Sequence, residues 1–509
     1  MKTIFRILLI LCIMILNVHA QYSNVNWLFG DSCHVVFNSN GIDTVLKGST
    51  ESRGTCVSIS DSPGNLLFYA STPIIRLWQS LSPHLGGIYS SNHQLMQNGD
   101  SVAGSGWYKE MQIIPYPGNP NKYILFSAGV TSSFSPGLRY SIVDLNFNGG
   151  LGKVIQKNIL LDPAPVADGM IAIKHANGRD WWLYFKNWSP TVSANIIKYI
   201  LISPNGISTS TTQNIGALRP AGFYRFCLNP IGNTLAGICS QGVIELFDID
   251  RCSGVLSNHR TIIDLPAATL PANRWYCDGE FSANGRYLYA ATWLTPVYLY
   301  QYDLLNANIT ASEIIIDTTS YPNEAACSME RGPDNRIYRA IAWNDGMTYN
   351  YPYPDSLYNL VNTHLSVINS PDSAGLACDY QAFSVPLPGC RTYLGLPNNP
   401  DWNLGVIAGS ICDTLTVGMN QSVNDETLFF QAWYNRDWDL IQVTASHITG
   451  KTANLQVHDT KGSLLYHEHV EIIPGGYITK TISMKSLSVG TYIVSLIADD
   501  TKHSQKIVK

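Results

Sequence analysis

The sequence predicts an all-β protein, a six- or seven-bladed β-propeller followed by a small C-terminal β-sandwich. Two observations carry the propeller. A turn containing Gly or Asn, followed at once by an aromatic-rich strand, recurs across residues 55–345. Its copies lie about 50 residues apart with no 3.6-residue periodicity between them, and that step fits one four-stranded blade. The third observation is the C-terminal density of strands. From Leu428 onward, seven short apolar strands follow one another in about 80 residues, which describes a small sandwich.

The chain opens with Lys2 and Arg6 ahead of an apolar run from Ile7 to Leu16. Val18 and Ala20 then place small side chains just before Gln21. The run is too short to cross about 30 Å of hydrocarbon, and its anatomy is that of an export signal. Residues 1–20 are therefore expected to be removed, leaving Gln21 as the first residue. No later stretch reaches eighteen apolar residues, so no transmembrane segment is expected in the mature chain.

The repeats are SPGNLLFY (62–69), PGNPNKYILF (117–126), ANGRDWWLYF (176–185), NPIGNTLAGI (229–238), SANGRYLYAA (282–291) and GPDNRIYRAI (332–341). With Leu67, Tyr123, Trp182, Leu235, Leu288 and Ile337 as equivalents, the steps are 56, 59, 53, 53 and 49 residues. Asn-Gly and Gly-Asn pairs tolerate positive φ and close tight hairpins. Second strands follow in several copies, among them RYSIVDLN (139–146) and VIELFDID (243–250). A seventh blade is expected to be assembled from both ends of the body, with WLFGDSCHVVFN (27–38) giving early strands and GLACDYQAFSVP (375–386) late ones. Such closure hides the edges of an open sheet. A stack of sandwiches is the alternative, and it would repeat at about twice this spacing.

Charged residues make up 14% of the chain, against an average of about 25%. The formal charge of −5 becomes −7 once Lys2 and Arg6 leave. No basic stripe is present, which argues against nucleic-acid binding. Of eleven Cys, Cys12 lies in the export signal, and the other ten show no CxxC spacing for zinc. Cys227, Cys239, Cys252 and Cys277 cluster loosely, and Cys390 with Cys412 is a possible pair. Buried free thiols acting as small hydrophobes are the other reading.

The expected domains are 1–20 as signal peptide, 21–397 as propeller, 398–427 as linker or junction and 428–509 as sandwich. The junction has weak strand signals and several Gly and Asn.

Two segments carry a resemblance. NWLFGDSCHVVFNSNG…GTCVSISDSPGNLLFYAS (26–71), HQLMQNGD (93–100) ahead of IIPYPGNPNKYILF (113–126), and GLPN (395–398) together resemble large exported propeller-like proteins of the Bacteroidota. The C-terminal segments VHDTKGSLL (457–465), LSVGTYIVSL (487–496) and QKIVK (505–509) resemble the type A sorting domain of the type IX secretion system. The resemblance assigns motif positions to Asp459, Gly462, Leu487, Gly490, Tyr492, Lys506 and Lys509. One departure is the acidic pair Asp499–Asp500 before the last strand. The resemblance implies that type IX machinery is a partner, that the destination is the outer surface or the medium, and that the domain is commonly removed after transport.

No GxSxG, HExxH, P-loop or calcium-loop pattern is present, and no cofactor or metal is expected. Asp248 and Asp250 sit two apart at a strand end and so point one way, as do His467 and His469. A solvated rim accounts for the first pair, and two histidines alone do not make a metal site. Ten of twelve Trp lie between Trp27 and Trp402. Trp181 and Trp182 are adjacent and must face opposite sides of a strand. Such aromatics either fill the wedges between blades or form a rim that stacks sugars or grips a polypeptide. Asp168, Glu280 and Glu324 are candidate carboxylates for glycoside hydrolysis, which needs two carboxyls at a set separation. The favoured reading is a non-enzymatic exported protein with a glycan- or protein-binding propeller face. The alternative is an extracellular glycan-active hydrolase or lyase.

Overall fold

The structure is a computed structural model. It describes residues 22–38, 40–52, 54–72, 86–104, 108–129, 137–221, 223–294, 296–318, 324–343, 358–407, 410–413, 429–435, 439–446, 448, 451–472, 478–498 and 501–509. The expected export signal lies outside them. The chain divides into two compact units, the first ending at Leu404 and the second holding 405–509 together with 176–178.

Among the described residues, the first unit contains seven antiparallel sheets, each formed from strands consecutive in sequence. Blade 1 is Asn26–Phe29, Asp31–Asn38 and Gly41–Glu51, and blade 2 is Cys56–Ser60, Leu66–Ser71 and Gly87–Ser90. Blade 3 is Met111–Pro115, Lys122–Gly129, Gly137–Asp144 and Lys153–Asp162. Blade 4 is Val166–Lys174, Trp181–Asn187 and Ser189–Ser203, with Gly206–Ile207 and Thr211–Ala221 both paired to the last of these. Blade 5 is Tyr224–Leu228, Thr234–Cys239, Val243–Ile249 and Leu256–Asp264. Blade 6 is Tyr276–Phe281, Tyr287–Thr292, Leu299–Asp303 and Ile314–Asp317, and blade 7 is Glu324–Arg331, Ile337–Trp343, His364–Ile368 and Tyr380–Pro386. The first strands of successive blades are neighbours from blade 1 through blade 7, as in a propeller.

The six repeated turns each join the first strand of a blade to its second, in blades 2 to 7. Their geometry explains their composition. Gly64, Gly118, Gly178, Gly232 and Gly285 all have φ between +71° and +95°, and Asn335 takes the left-handed position at +65° in blade 7. The turn is also closed by side chains. Asn229 Oδ1 accepts the N–H groups of Gly232, Asn233 and Thr234 at 3.0 Å each, and Asp61 Oδ1 accepts Asn65 N–H at 2.7 Å.

The ends do not share a blade. The strands within 27–38 belong to the blade 1 sheet, and Tyr380–Pro386 completes blade 7. Each end has enough strand to build a sheet of its own, so closure falls to the packing between blades 1 and 7. Trp27 and Phe37 pack on Tyr338, with ring centroids 5.7 and 5.4 Å away. A disulfide joins Cys33 to Cys390 across 357 residues. Cys390 therefore does not pair with Cys412, which is disulfide-bonded, as is Cys252. Cys56, Cys227, Cys239, Cys277 and Cys378 are buried free thiols. Three of the four loosely clustered cysteines are thus core residues rather than a bonded group.

Beyond blade 7 the chain enters the interior. Residues 390–400 are all buried yet form no extended strand. Asp31 and Arg391 bond both ways through their backbones and form an ion pair. Gly395 passes so close to Gly54 that a Cβ there would lie 1.8 Å from the Gly54 carbonyl oxygen, so no side chain fits. Asn398 Nδ2 lies within 3.1 Å of the carbonyl oxygens of Lys109, Met111 and Met170. Gln112 Nε2 donates to Asn398 O at 2.8 Å, and Asn398 N–H donates to Cys56 O at 3.0 Å. Asn399 Oδ1 accepts Ser58 N–H at 3.1 Å. One segment thus satisfies polar groups on blades 1 to 4, and the seven residues 398–404 of the expected junction belong to the first unit.

The second unit contains a three-stranded sheet, Phe429–Asn435, Leu440–Ser446 and Ile478–Ser483. Its four-stranded partner runs in the order Leu464–Glu471, Thr452–Asp459, Thr491–Ala498 and Thr501–Val508. Alternate residues such as Ile441, Val443, Leu455, Val457, Val494 and Leu496 point into one core between the sheets. The expected seven-stranded sandwich is present. The Pro474–Gly476 turn lies outside the described residues.

Candidate functional site

The aromatics of the body are mainly wedge fillers. Trp181 and Trp182 face opposite ways, as adjacent strand residues must, and both are buried. Trp181 packs edge-on against Trp402 at 5.4 Å. Trp182 turns toward blade 5 and donates its indole N–H to Arg251 O at 2.9 Å. An aromatic group stands at the opposite ends of the inner strands. There Phe223 stacks on Trp293 at 5.4 Å, with Tyr108 beside both.

A cavity of about 280 Å³ opens where the inner strands of blades 5, 6 and 7 end. Segment 398–403 forms one wall and the blade 7 turn, 332–335, forms another. Its polar lining is Asn24, Asn38, Asn335, Asn398, Asn399, Asn403, Lys109, Glu280, Glu330, Arg331 and Asp401, with Trp402 among the apolar groups.

A buried charge network supports it. Asp278, on the first strand of blade 6, accepts Arg225 Nη2 at 2.9 Å, Ser328 O–H at 3.0 Å and Met329 N–H at 2.8 Å. Lys109 Nζ donates to Glu330 Oε2 at 2.6 Å and to Met329 O at 2.8 Å, and lies 3.7 Å from Asp278. Arg331 pairs with Asp401 at 3.2 Å. Each cation on the cavity wall is thus committed to a carboxylate. Glu280 is different. It is 8% exposed, and its one hydrogen bond is from Phe281 N–H to Oε1 at 2.9 Å. No cation lies within ion-pair distance of it among the described residues.

Burial pushes the Glu280 carboxyl above the ordinary range, and the neighbouring Glu330 charge adds to the shift. Burial also pushes Glu330 up, while the Lys109 ammonium pulls it back. Burial raises the Cys227 thiol on the same wall, which leaves it a poor nucleophile. Trp402 is 5% exposed, and its indole N–H has no partner among the described residues.

Of the three carboxylates singled out in the sequence, the structure places only Glu280 on the cavity. Asp168 is buried within the first strand of blade 4, away from the lining. Glu324 opens the first strand of blade 7, and its side chain lies outside the described residues. Asp248 and Asp250 go to separate partners. Asp248 pairs with Arg260 at 2.6 Å, and Asp250 accepts Cys252 N–H at 2.9 Å. His467 and His469 share a face and both reach Asn454 Oδ1, at 3.3 and 2.7 Å. Sequence reading missed Lys109, Glu330, Asp401 and Trp402, and the sole pointer to their region was GLPN at 395–398.

In the second unit the motif residues converge on the chain end. Asp459 Oδ1 accepts Lys461 and Ser463 N–H at 2.9 and 2.8 Å, and Gly462 sits beyond it at φ +85°. These backbone N–H groups hold the Asp459 carboxyl below its ordinary range. Leu487 borders the sandwich core. Tyr492 is the second residue of the strand that follows Gly490, and its hydroxyl donates to Ser488 O. Lys509 Nζ bonds Met484 O at 2.7 Å, Leu487 O at 2.8 Å and Asp439 Oδ2 at 2.8 Å, while its backbone N–H donates to Gly490 O at 2.8 Å. Lys506 is exposed on the last strand.

Residues 438–509 match the model of the secretion system C-terminal sorting domain. A search of curated proteins returns no match. Similar solved structures include a putative 6-phosphogluconolactonase from Bacteroides fragilis, at 13% identity and TM-score 0.45, over 75% of this chain and 99% of that one. Another is a putative 6-phosphogluconolactonase from Bacteroides uniformis, at 14% identity and TM-score 0.44, over 74% and 98%. A third is the β-propeller domain of Cps50 (Swd1) from Myceliophteria thermophila, at 12% identity and TM-score 0.34, over 63% and 94%. None carries an activity over to this chain. The sorting domain marks the chain for delivery by type IX machinery to the cell surface or the medium. No helix among the described residues is long and apolar enough to cross a membrane.

Proposed function

We propose that the propeller of this exported protein binds glycans, taking one sugar unit into the cavity at the ends of blades 5 to 7. The observation that carries this is the lining. Six asparagines, three carboxylates and two cations surround about 280 Å³, at the small end of ligand pockets. Side-chain amides and carboxylates offer paired donors and acceptors, the pattern that vicinal hydroxyls complement. A partner polypeptide would need a broader and more apolar face. The test is a glycan array with the full-length protein, followed by titration of the best binder against wild type and Asn403→Ala. Asn403 is exposed on the wall, so its loss should weaken binding at least threefold while the fold stays intact. An array without binders ends the reading. Unchanged affinity in the variant moves the site elsewhere.

A hydrolytic reading keeps one supporting observation. Glu280 and Glu330 line the same cavity, and both carboxyls are raised by burial. Glycoside hydrolysis uses one protonated and one ionised carboxyl. Sugar release from the array's binders by wild type, abolished in Glu280→Gln, would favour that reading over simple binding.

A further inference from the structure

We infer that the sugar is an amino sugar, bound through its ammonium group at Glu280. The inference rests on the glycan-binding reading and narrows it to a ligand class. Its basis is the charge distribution around the cavity. Three carboxylates line the wall, Glu280, Glu330 and Asp401, against two cations, Lys109 and Arg331. Lys109 is spent on Glu330 and on the Met329 carbonyl, and Arg331 on Asp401. Behind the wall, Arg225 is spent on Asp278. Glu280 is left over. It is more than nine-tenths buried, lines the cavity, and has no cation within ion-pair distance among the described residues. Its sole hydrogen bond comes from a backbone N–H, which leaves Oε2 without a donor.

An uncompensated carboxylate in a buried site is costly, and a cation brought by a ligand offsets that cost. An ammonium is the cation that suits a cavity of this size beside an indole. It donates three hydrogen bonds, so it can bridge Glu280 and a neighbouring amide oxygen. The Trp402 ring on the same wall offers a polarisable surface beside that ammonium. A neutral sugar would satisfy the asparagines equally well and leave Glu280 as it is. The acid pushed up by burial in the free protein would ionise once the ammonium arrives, so the attraction is realised only with a cationic ligand.

The experiment uses the full-length protein and isothermal titration with three oligosaccharide series of matched length, built from glucose, N-acetylglucosamine and glucosamine. The three series differ at the 2-position, which carries a hydroxyl, an acetamide or an ammonium, so the last alone is cationic. The glucosamine series should bind at least tenfold tighter than the other two, and Glu280→Gln should collapse that margin to within about twofold. Equal affinity across the three series overturns the inference and leaves the glycan reading standing. Failure of all three to bind counts against the glycan reading itself. A tenfold margin that survives in Glu280→Gln also overturns it, since the ammonium would then be received elsewhere. A margin that vanishes when calcium is added, with calcium itself binding in the absence of sugar, would show Glu280 to be a metal ligand and would likewise overturn it. The comparison of series in wild type stands whether or not the variant folds.

Discussion

At the scale of single residues, the interior of the propeller depends on a few buried charges held by opposite charges. Asp278 is 1% exposed and holds Arg225, which is 2% exposed and whose other guanidinium nitrogens have no partner among the described residues. Removing the carboxylate would leave that cation uncompensated in the dark centre of the ring. Asp278→Ala should therefore cost about 3–5 kcal/mol, read as a lowered urea midpoint of the body. The sandwich has a counterpart at Lys509. Its ammonium joins Asp439 to the carbonyls of Met484 and Leu487, so the last side chain of the protein is a clamp and not a free tail. The Lys509 ammonium also holds the Asp439 carboxyl below its ordinary range. A depressed carboxyl adds stability above its unfolded pKa and loses it as pH falls through its folded pKa. Lys509→Met should thus lower the melting temperature of the sandwich at neutral pH. The difference from wild type should begin to shrink as the pH drops below the ordinary aspartate value of about 3.9, and go on shrinking as Asp439 protonates at lower pH. A deficit of the same size at pH 2 and pH 7 would remove Asp439 from the account.

At the scale of elements, what could be read from the sequence follows what is chemically local. The six turns were legible because a left-handed residue and an Asx or Ser acceptor must sit at fixed offsets, and both leave a mark in a window of eight residues. Blade 1 escaped as a separate sheet because its first hairpin turns at Gly30 alone, between Phe29 and Asp31, without the Gly-Asn pair of the others. Segment 390–404 escaped for a deeper reason. It buries backbone and amide groups instead of an apolar stripe, so it has no period, and its partners lie up to 375 residues away in sequence. The same gap hid the site. Glu280 stood out as a candidate carboxylate for glycoside hydrolysis, but its neighbours Lys109, Glu330 and Asp401 meet it through the ring alone. These facts give the segment a measurable weight. Closing a loop of 357 residues, the Cys33–Cys390 bond should contribute about 2–5 kcal/mol, lost in Cys33→Ala/Cys390→Ala. A chain ending at Asp413, which keeps the disulfide-bonded Cys412, should match the full-length body in urea denaturation. One ending at Pro397 should not, because the Lys109, Met111 and Met170 carbonyls and the Gln112 amide lose Asn398, at about 1–3 kcal/mol per stranded group.

At the scale of the whole molecule, address and cargo are built on separate cores. The export signal read in residues 1–20 predicts processing after Ala20, and mass spectrometry of the exported protein should find Gln21 at its start. The second address is the sorting domain, whose core of Ile441, Val443, Leu455, Val457, Val494 and Leu496 is drawn entirely from its own seven strands. The body's clusters are likewise drawn from residues up to Leu404. Neither core borrows a strand from the other, so losing one should leave the other folded. Deleting 428–509 should therefore give a propeller with its thermal transition intact, yet one held in the periplasm of a type IX-competent host. The two readouts are needed together. A truncated body that melts early would be retained because it is damaged, and retention would say nothing about the address. A body that melts normally and still reaches the medium would mean that the sandwich is cargo and that the address lies elsewhere in the chain. Normal melting with periplasmic retention is the result that separate cores and a matched sorting domain require.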